Sequence, residues 1–99
     1  MKNFERTWSL TEVQGYIEQA RSKRRGNGRR DDAEQCLLHF MEEVGELTRE
    51  VRRKGTSESL SNEIADCLFY LAALATELKI DLAEALDYKE RINYMRFGT

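Results

Sequence analysis

Residues 63–75 read EIADCLFYLAALA, a run that is apolar on nearly every side of a helix yet carries Asp66 in its fourth place. A helix of this kind must be enclosed by neighbours, and a carboxylate taken out of water is costly unless something pairs with it. The run therefore predicts a packed helical assembly and a partner for Asp66. Proline is absent and the β-branched residues are scattered singly, so no strand pattern competes. The chain reads as all-α.

Outward from this run, the third helix starts among the serines of SESLSNE and continues to about Lys79, with Leu60, Ile64, Leu68, Leu71, Ala75 and Leu78 on one face and Phe69, Ala72 and Leu74 on others. The second helix opens with a capping box from Asp31 to Glu34. Its apolar positions Leu37, Phe40, Met41, Val44, Leu47 and Val51 follow helical spacing until Gly55 ends it after the basic turn Arg52, Arg53 and Lys54. A first helix is capped by Ser9 and Glu12 and carries Leu10, Val13, Ile17 and Ala20 as far as about Arg21. A fourth begins at Asp81, boxed with Glu84, and runs through Leu82, Leu86, Ile92 and Met95. The expected architecture is a four-helix chain, one domain over residues 1–99, forming an antiparallel helical bundle completed by dimerisation or tetramerisation.

Charge is balanced, 16 basic against 18 acidic residues, which calls for neither nucleic acid nor an anionic membrane. Cys36 and Cys67 form no CxxC pair, so a disulfide framework or zinc site is not expected, and a reducing, cytoplasmic setting fits. The N-terminus has no apolar h-region, and the longest apolar run, about a dozen residues, is short of the ~20 that span a bilayer. The basic segment Arg21 to Arg30, with Gly26 and Gly28, lacks the GxxxxGK[ST] phosphate loop and reads as a solvated loop.

The chemistry sits in two acid pairs three residues apart, Glu43 with Glu46 and Glu63 with Asp66. Residues at i and i+3 share a helix face. If the second and third helices form an antiparallel hairpin about RKGTS, the pairs fall within about 3 Å of one level along its axis. Four carboxylates so close repel one another, and a hard divalent cation such as Mg²⁺ or Mn²⁺, which prefers oxygen ligands and shares its remaining positions with phosphates, resolves the conflict. His39 reads as a boundary residue and Tyr70 as core with a satisfied hydroxyl. An isolated ExxE is ordinary surface charge, and a non-catalytic dimerisation module, with Asp66 paired to Arg49 or Arg53, is the competing account.

EEVGEL, then EIADCLFYLAALA, KIDLAEAL and the terminal Lys89, Asn93, Arg96 and Phe97 together resemble the MazG-like nucleotide pyrophosphohydrolases of the all-α NTP pyrophosphatase superfamily. The resemblance spans roughly residues 31 to 97, with the family pattern EExxE then ExxD read as Glu42, Glu43, Glu46, Glu63 and Asp66. It implies Mg²⁺-dependent hydrolysis of a nucleoside triphosphate, commonly a deoxynucleotide, to the monophosphate and pyrophosphate. On that basis Glu43, Glu46, Glu63 and Asp66 are the metal ligands, with Glu43 or Glu46 orienting water. Lys89, Asn93 and Arg96 are the phosphate-binding residues, in a partner subunit's site if the chains exchange helices, and Tyr70 lies at the substrate. A nucleotide sensor is a third account. Phosphoribosyl-ATP pyrophosphohydrolase, which typically has His where this chain has Leu71, and all-α dUTPase are rivals within the superfamily. A di-iron bundle would need ExxH twice, and His39, the sole histidine, is in no such motif.

Overall fold

A computed structural model describes residues 7–24 and 31–99, which form α1 (Leu10–Arg24), α2 (Ala33–Arg52), α3 (Ser57–Glu77) and α4 (Leu82–Phe97) with no strand among them. The expected solvated loop at Gly26 and Gly28 lies outside the described residues. Each helix starts where a short polar side chain replaces a missing backbone partner. Ser9 and Glu12 exchange reciprocal bonds of 3.0 and 3.1 Å, and the Asp81 carboxylate accepts from the Glu84 amide at 3.0 Å. The Thr56 hydroxyl accepts from Ser59 N–H at 3.1 Å at the start of α3.

At α2 the expected cap is displaced by one residue. Asp32 and Gln35 form the reciprocal box, both bonds 2.9 Å, while Asp31 instead reaches His39. Two adjacent aspartates satisfy the same sequence rule, and the tertiary contact decides between them. The end of α2 also differs from expectation. Lys54, not Gly55, adopts the left-handed conformation (φ 56°), and Lys79 does the same after α3 (φ 60°). Space at position 55 is tight. A Cβ there would run into the Glu50 carboxylate and lie 2.7 Å from the Ser59 hydroxyl, two groups that are themselves hydrogen-bonded at 3.0 Å.

The principal packing unit is the α2–α3 hairpin, with α1 laid against α3 and α4 held to α1. The core of Ile17, Cys36, Ala72 and Ala73, bordered by Val13, Tyr16, Phe69, Leu74 and Leu82, lies where α1, the start of α2 and α3 meet. The alanines of α3 allow α1 a close approach. Helix α1 extends beyond its expected end because Arg21 is not part of a solvated run. It is buried, its guanidinium donating to Glu18 (2.9 Å), Glu77 (3.2 Å), the Asp31 carbonyl (3.1 Å) and the Cys36 sulfur (3.4 Å). Gln14 fixes the α3–α4 elbow. Its amide nitrogen donates to Thr76 Oγ1 (3.1 Å) and the Ile80 carbonyl (2.8 Å), and its oxygen accepts from Leu82 N–H (3.0 Å).

The radius of gyration, 15.4 Å, exceeds the roughly 13 Å of a compact chain of this length. Much of the apolar face predicted for the core is exposed in the single chain. Leu37, Met41 and Val51 of α2, Ile64, Leu68 and Leu71 of α3, and Leu86 and Met95 of α4 all lie open to solvent.

Candidate active site

The α2–α3 hairpin is in a regular antiparallel register, with four facing pairs along its seam. Nearest the turn, Glu50 accepts from the Ser59 hydroxyl. Next come Glu46 with Glu63, then Glu43 with Asp66, and then His39 stacked on Tyr70. Each step of three or four residues along α2 is matched by the same step along α3, which keeps facing residues on the shared seam. The acid pairs are therefore level, as their spacing from the turn predicts.

Glu43, Glu63 and Asp66 each offer an oxygen within 4.8 Å of the others. Glu46 borders this group, close enough to share a hydrogen bond with Glu43 and with Glu63. The burial differs from the expectation set by the apolar run. Asp66 is exposed, because α3 turns that position to the open edge of the seam, whereas Glu43 and Glu63 are half-buried. Glu43 Oε2 and Glu63 Oε2 are fully enclosed and have no hydrogen-bond partner.

Electrostatics follow from this enclosure. Loss of water, then the hydrogen bond and charge of Glu46, then Asp66 and Glu63, push the Glu43 carboxyl from its ordinary 4.5 up to about 7. Desolvation raises Glu63 as well, followed by the charges of Glu46 and Asp66. The Cys67 thiol behind them is pushed up by desolvation and by Glu43 and Glu63. Two orphaned carboxylate oxygens in a set composed of oxygen donors suit a hard divalent cation. No arginine pairs with Asp66 among the described residues, and Arg53 instead lies 3.8 Å from Glu50. The salt-bridged module has no support here.

Tyr70 is half-buried at the end of the acid seam. Lys89, Asn93 and Arg96 share a stripe of α4, which packs on α1. His39, a boundary residue that its spacing of four before Glu43 puts on the acidic stripe of α2, faces Tyr70 across the seam.

Residues 32–91, well over half the chain, match the MazG nucleotide pyrophosphohydrolase domain. The chain belongs to this family. A MazG protein conserved in Bacillus, a nucleotide pyrophosphohydrolase, superposes over 88% of this chain and 90% of its own with a TM-score of 0.75 at 24% identity. The iMazG of Vibrio DAT 722 superposes over 93% of this chain and all of its own, TM-score 0.71, also at 24% identity. These two likenesses establish the MazG fold. No curated protein matches the sequence. Among the described residues no helix is long and apolar enough to cross a membrane.

Proposed function

We propose that this MazG domain hydrolyses a nucleoside triphosphate, of the ribo or deoxy series, to the monophosphate and pyrophosphate with Mg²⁺, or Mn²⁺ in its place. The observation that carries the reading is the pair of enclosed, unpartnered oxygens of Glu43 and Glu63 within one carboxylate group. Glu43, Glu46, Glu63 and Asp66 hold the cation. When bound, it neutralises the carboxylates and triphosphate and supplies Lewis-acid polarisation of the phosphoryl oxygens.

The protein's own groups do the rest. Glu43 or Glu46 accepts a hydrogen bond from the attacking water and orients it in line with the phosphorus of the α–β bridge. The water oxygen bonds to that phosphorus as its bond to the bridging oxygen breaks, the water's proton passes to the orienting carboxylate, and the electron pair leaves on the bridging oxygen of the departing pyrophosphate or monophosphate. Lys89, Asn93 and Arg96, at positions i, i+4 and i+7 of α4, bind phosphate oxygens from one helix stripe. Tyr70 borders the substrate beyond the acids.

Because α4 packs on α1, its basic stripe acts on the acids of a second copy of the chain. A homodimer or homotetramer would also cover the exposed faces of α2 and α3 around Leu37, Met41, Ile64 and Leu68. The soluble setting expected for such a domain is the cytoplasm.

The test is pyrophosphate release from a panel of canonical and damaged nucleoside triphosphates, with Mg²⁺ and with chelator, beside light scattering for oligomeric state. Release that requires the ion and is lost in Asp66→Asn supports the reading. Binding of nucleotide and ion with no release would make the domain a sensor, and a monomer with full activity would remove the exchanged α4.

A further inference from the structure

The pair just beyond Glu43 and Asp66 is aromatic. The His39 and Tyr70 rings stack with centroids 5.0 Å apart and planes 26° from parallel. The His39 nitrogens face carboxylates, Nε2 3.2 Å from an Asp31 oxygen and Nδ1 3.6 Å from one of Glu42, contacts that become ion pairs when the imidazole is protonated. On the other side Phe69 meets Tyr70 edge-on at 5.3 Å and 77°. A tyrosine at a seam's rim has several open rotamers; this one meets a stacked ring across the seam and a second ring edge-on.

The order of groups gives the seam a direction. At the aromatic end the Asp31 and Glu42 carboxylates lie beside His39 and the Arg24 guanidinium lies over the Phe69 ring, so charge is mixed there, whereas the stacked His39 and Tyr70 rings offer a flat face. Next to it come the carboxylates that suit a cation and, through it, phosphate oxygens. A molecule with polyphosphate at one end and a flat nucleoside at the other matches this order in one orientation. The aromatic pair lies one helical turn, about 5 Å, from the acids, within the reach from a nucleotide's phosphates to its sugar.

We propose that His39 is a positioning residue that fixes the Tyr70 ring so that the nucleoside end of the substrate, and not its phosphate tail, lies at this end of the seam. The proposal rests on the triphosphate reading above and gives the substrate a direction along the hairpin. His39 acts through Tyr70 and takes no part in the bond-breaking step.

The experiment compares wild type, His39→Ala and His39→Phe, following nucleoside monophosphate formation by chromatography and using inorganic tripolyphosphate as competing ligand. His39→Ala is expected to raise KM for the nucleotide about three- to tenfold, the scale of one aromatic pair, with kcat little changed. Inhibition by tripolyphosphate, which has no nucleoside, is expected to be unaltered, and His39→Phe, which keeps the ring face, to recover most of the loss. Equal weakening of nucleotide and tripolyphosphate, a fall confined to kcat, no rescue by phenylalanine, or a wild type that tripolyphosphate does not inhibit overturns the assignment. A wild type that converts no triphosphate overturns the functional reading and this one together, whereas an active wild type with unchanged KM in His39→Ala overturns this one alone.

Discussion

Glu43 of α2 and Glu63 of α3, on opposite sides of a hairpin turn, each keep one carboxylate oxygen enclosed and unpartnered within the same group of acids. Held without a counter-ion, this arrangement opposes folding, since desolvation and like charge both favour the neutral form. Its consequences for stability and for ion binding are measurable separately from catalysis.

Metal-free stability should fall as the pH rises. Glu43 binds its proton more tightly in the folded chain, about 7 against an ordinary 4.5, so its contribution is full below 4.5 and lost as the pH passes through 7. Melting temperatures in chelator should decline from pH 5 to pH 8, and Glu43→Gln should flatten that slope. Parallel slopes for the two proteins would refute the assignment.

Glu63→Gln should separate stability from function. Removing one charge relieves repulsion, so the metal-free variant should melt above wild type. Calorimetric uptake of Mn²⁺ should weaken, and kcat/KM should fall by at least the roughly 100-fold that loss of a mere outer-shell partner can cost. A variant that melts lower and retains ion binding would show a structural acid instead.

Arg21 should matter to folding and not to chemistry. It is buried against Glu18 and Glu77 and joins α1, the start of α2 and the end of α3. Arg21→Ala removes the hydrogen bonds of a buried guanidinium, and urea denaturation should register a loss of at least about 1.5–3 kcal/mol, the scale of one hydrogen bond to a charged group. Activity per folded molecule should be preserved, which single-turnover assays at low denaturant and saturating substrate can check.

The acid seam was legible because its geometry depends on counting. The i, i+3 pairs and their distances from RKGTS specify level and spacing, and helical periodicity makes both reliable. Which acid is enclosed was not, because the apolar neighbours of Asp66 in sequence are not its neighbours across the seam, and rotation of α3 exposes it while enclosing Glu63. Arg21 looked like the start of a basic loop, since its acceptors Glu77 and Cys36 are distant in sequence. Asp31 was misread as a cap for the same reason: its partner His39 lies beyond the local window. The direction of α4 depends on Gln14, one polar residue of α1 that binds both sides of the Ile80–Leu82 elbow, and no periodicity announces such a clasp.

Replacement of Gly55 by alanine should push the Glu50 carboxylate away from Ser59, at a cost of about 1 kcal/mol for the lost hydrogen bond. Denaturant midpoints for Gly55→Ala and Glu50→Gln should move in the same direction, and an unaffected Gly55→Ala would show that the turn has slack.

That crowded glycine lies beside the Glu50–Ser59 pair, two facing pairs from Glu43 and Asp66, and touches none of the reacting groups. A copy with a side chain there keeps its chemistry and loses only part of its margin against unfolding, so the damage would show in how long the protein lasts and not in how fast it works.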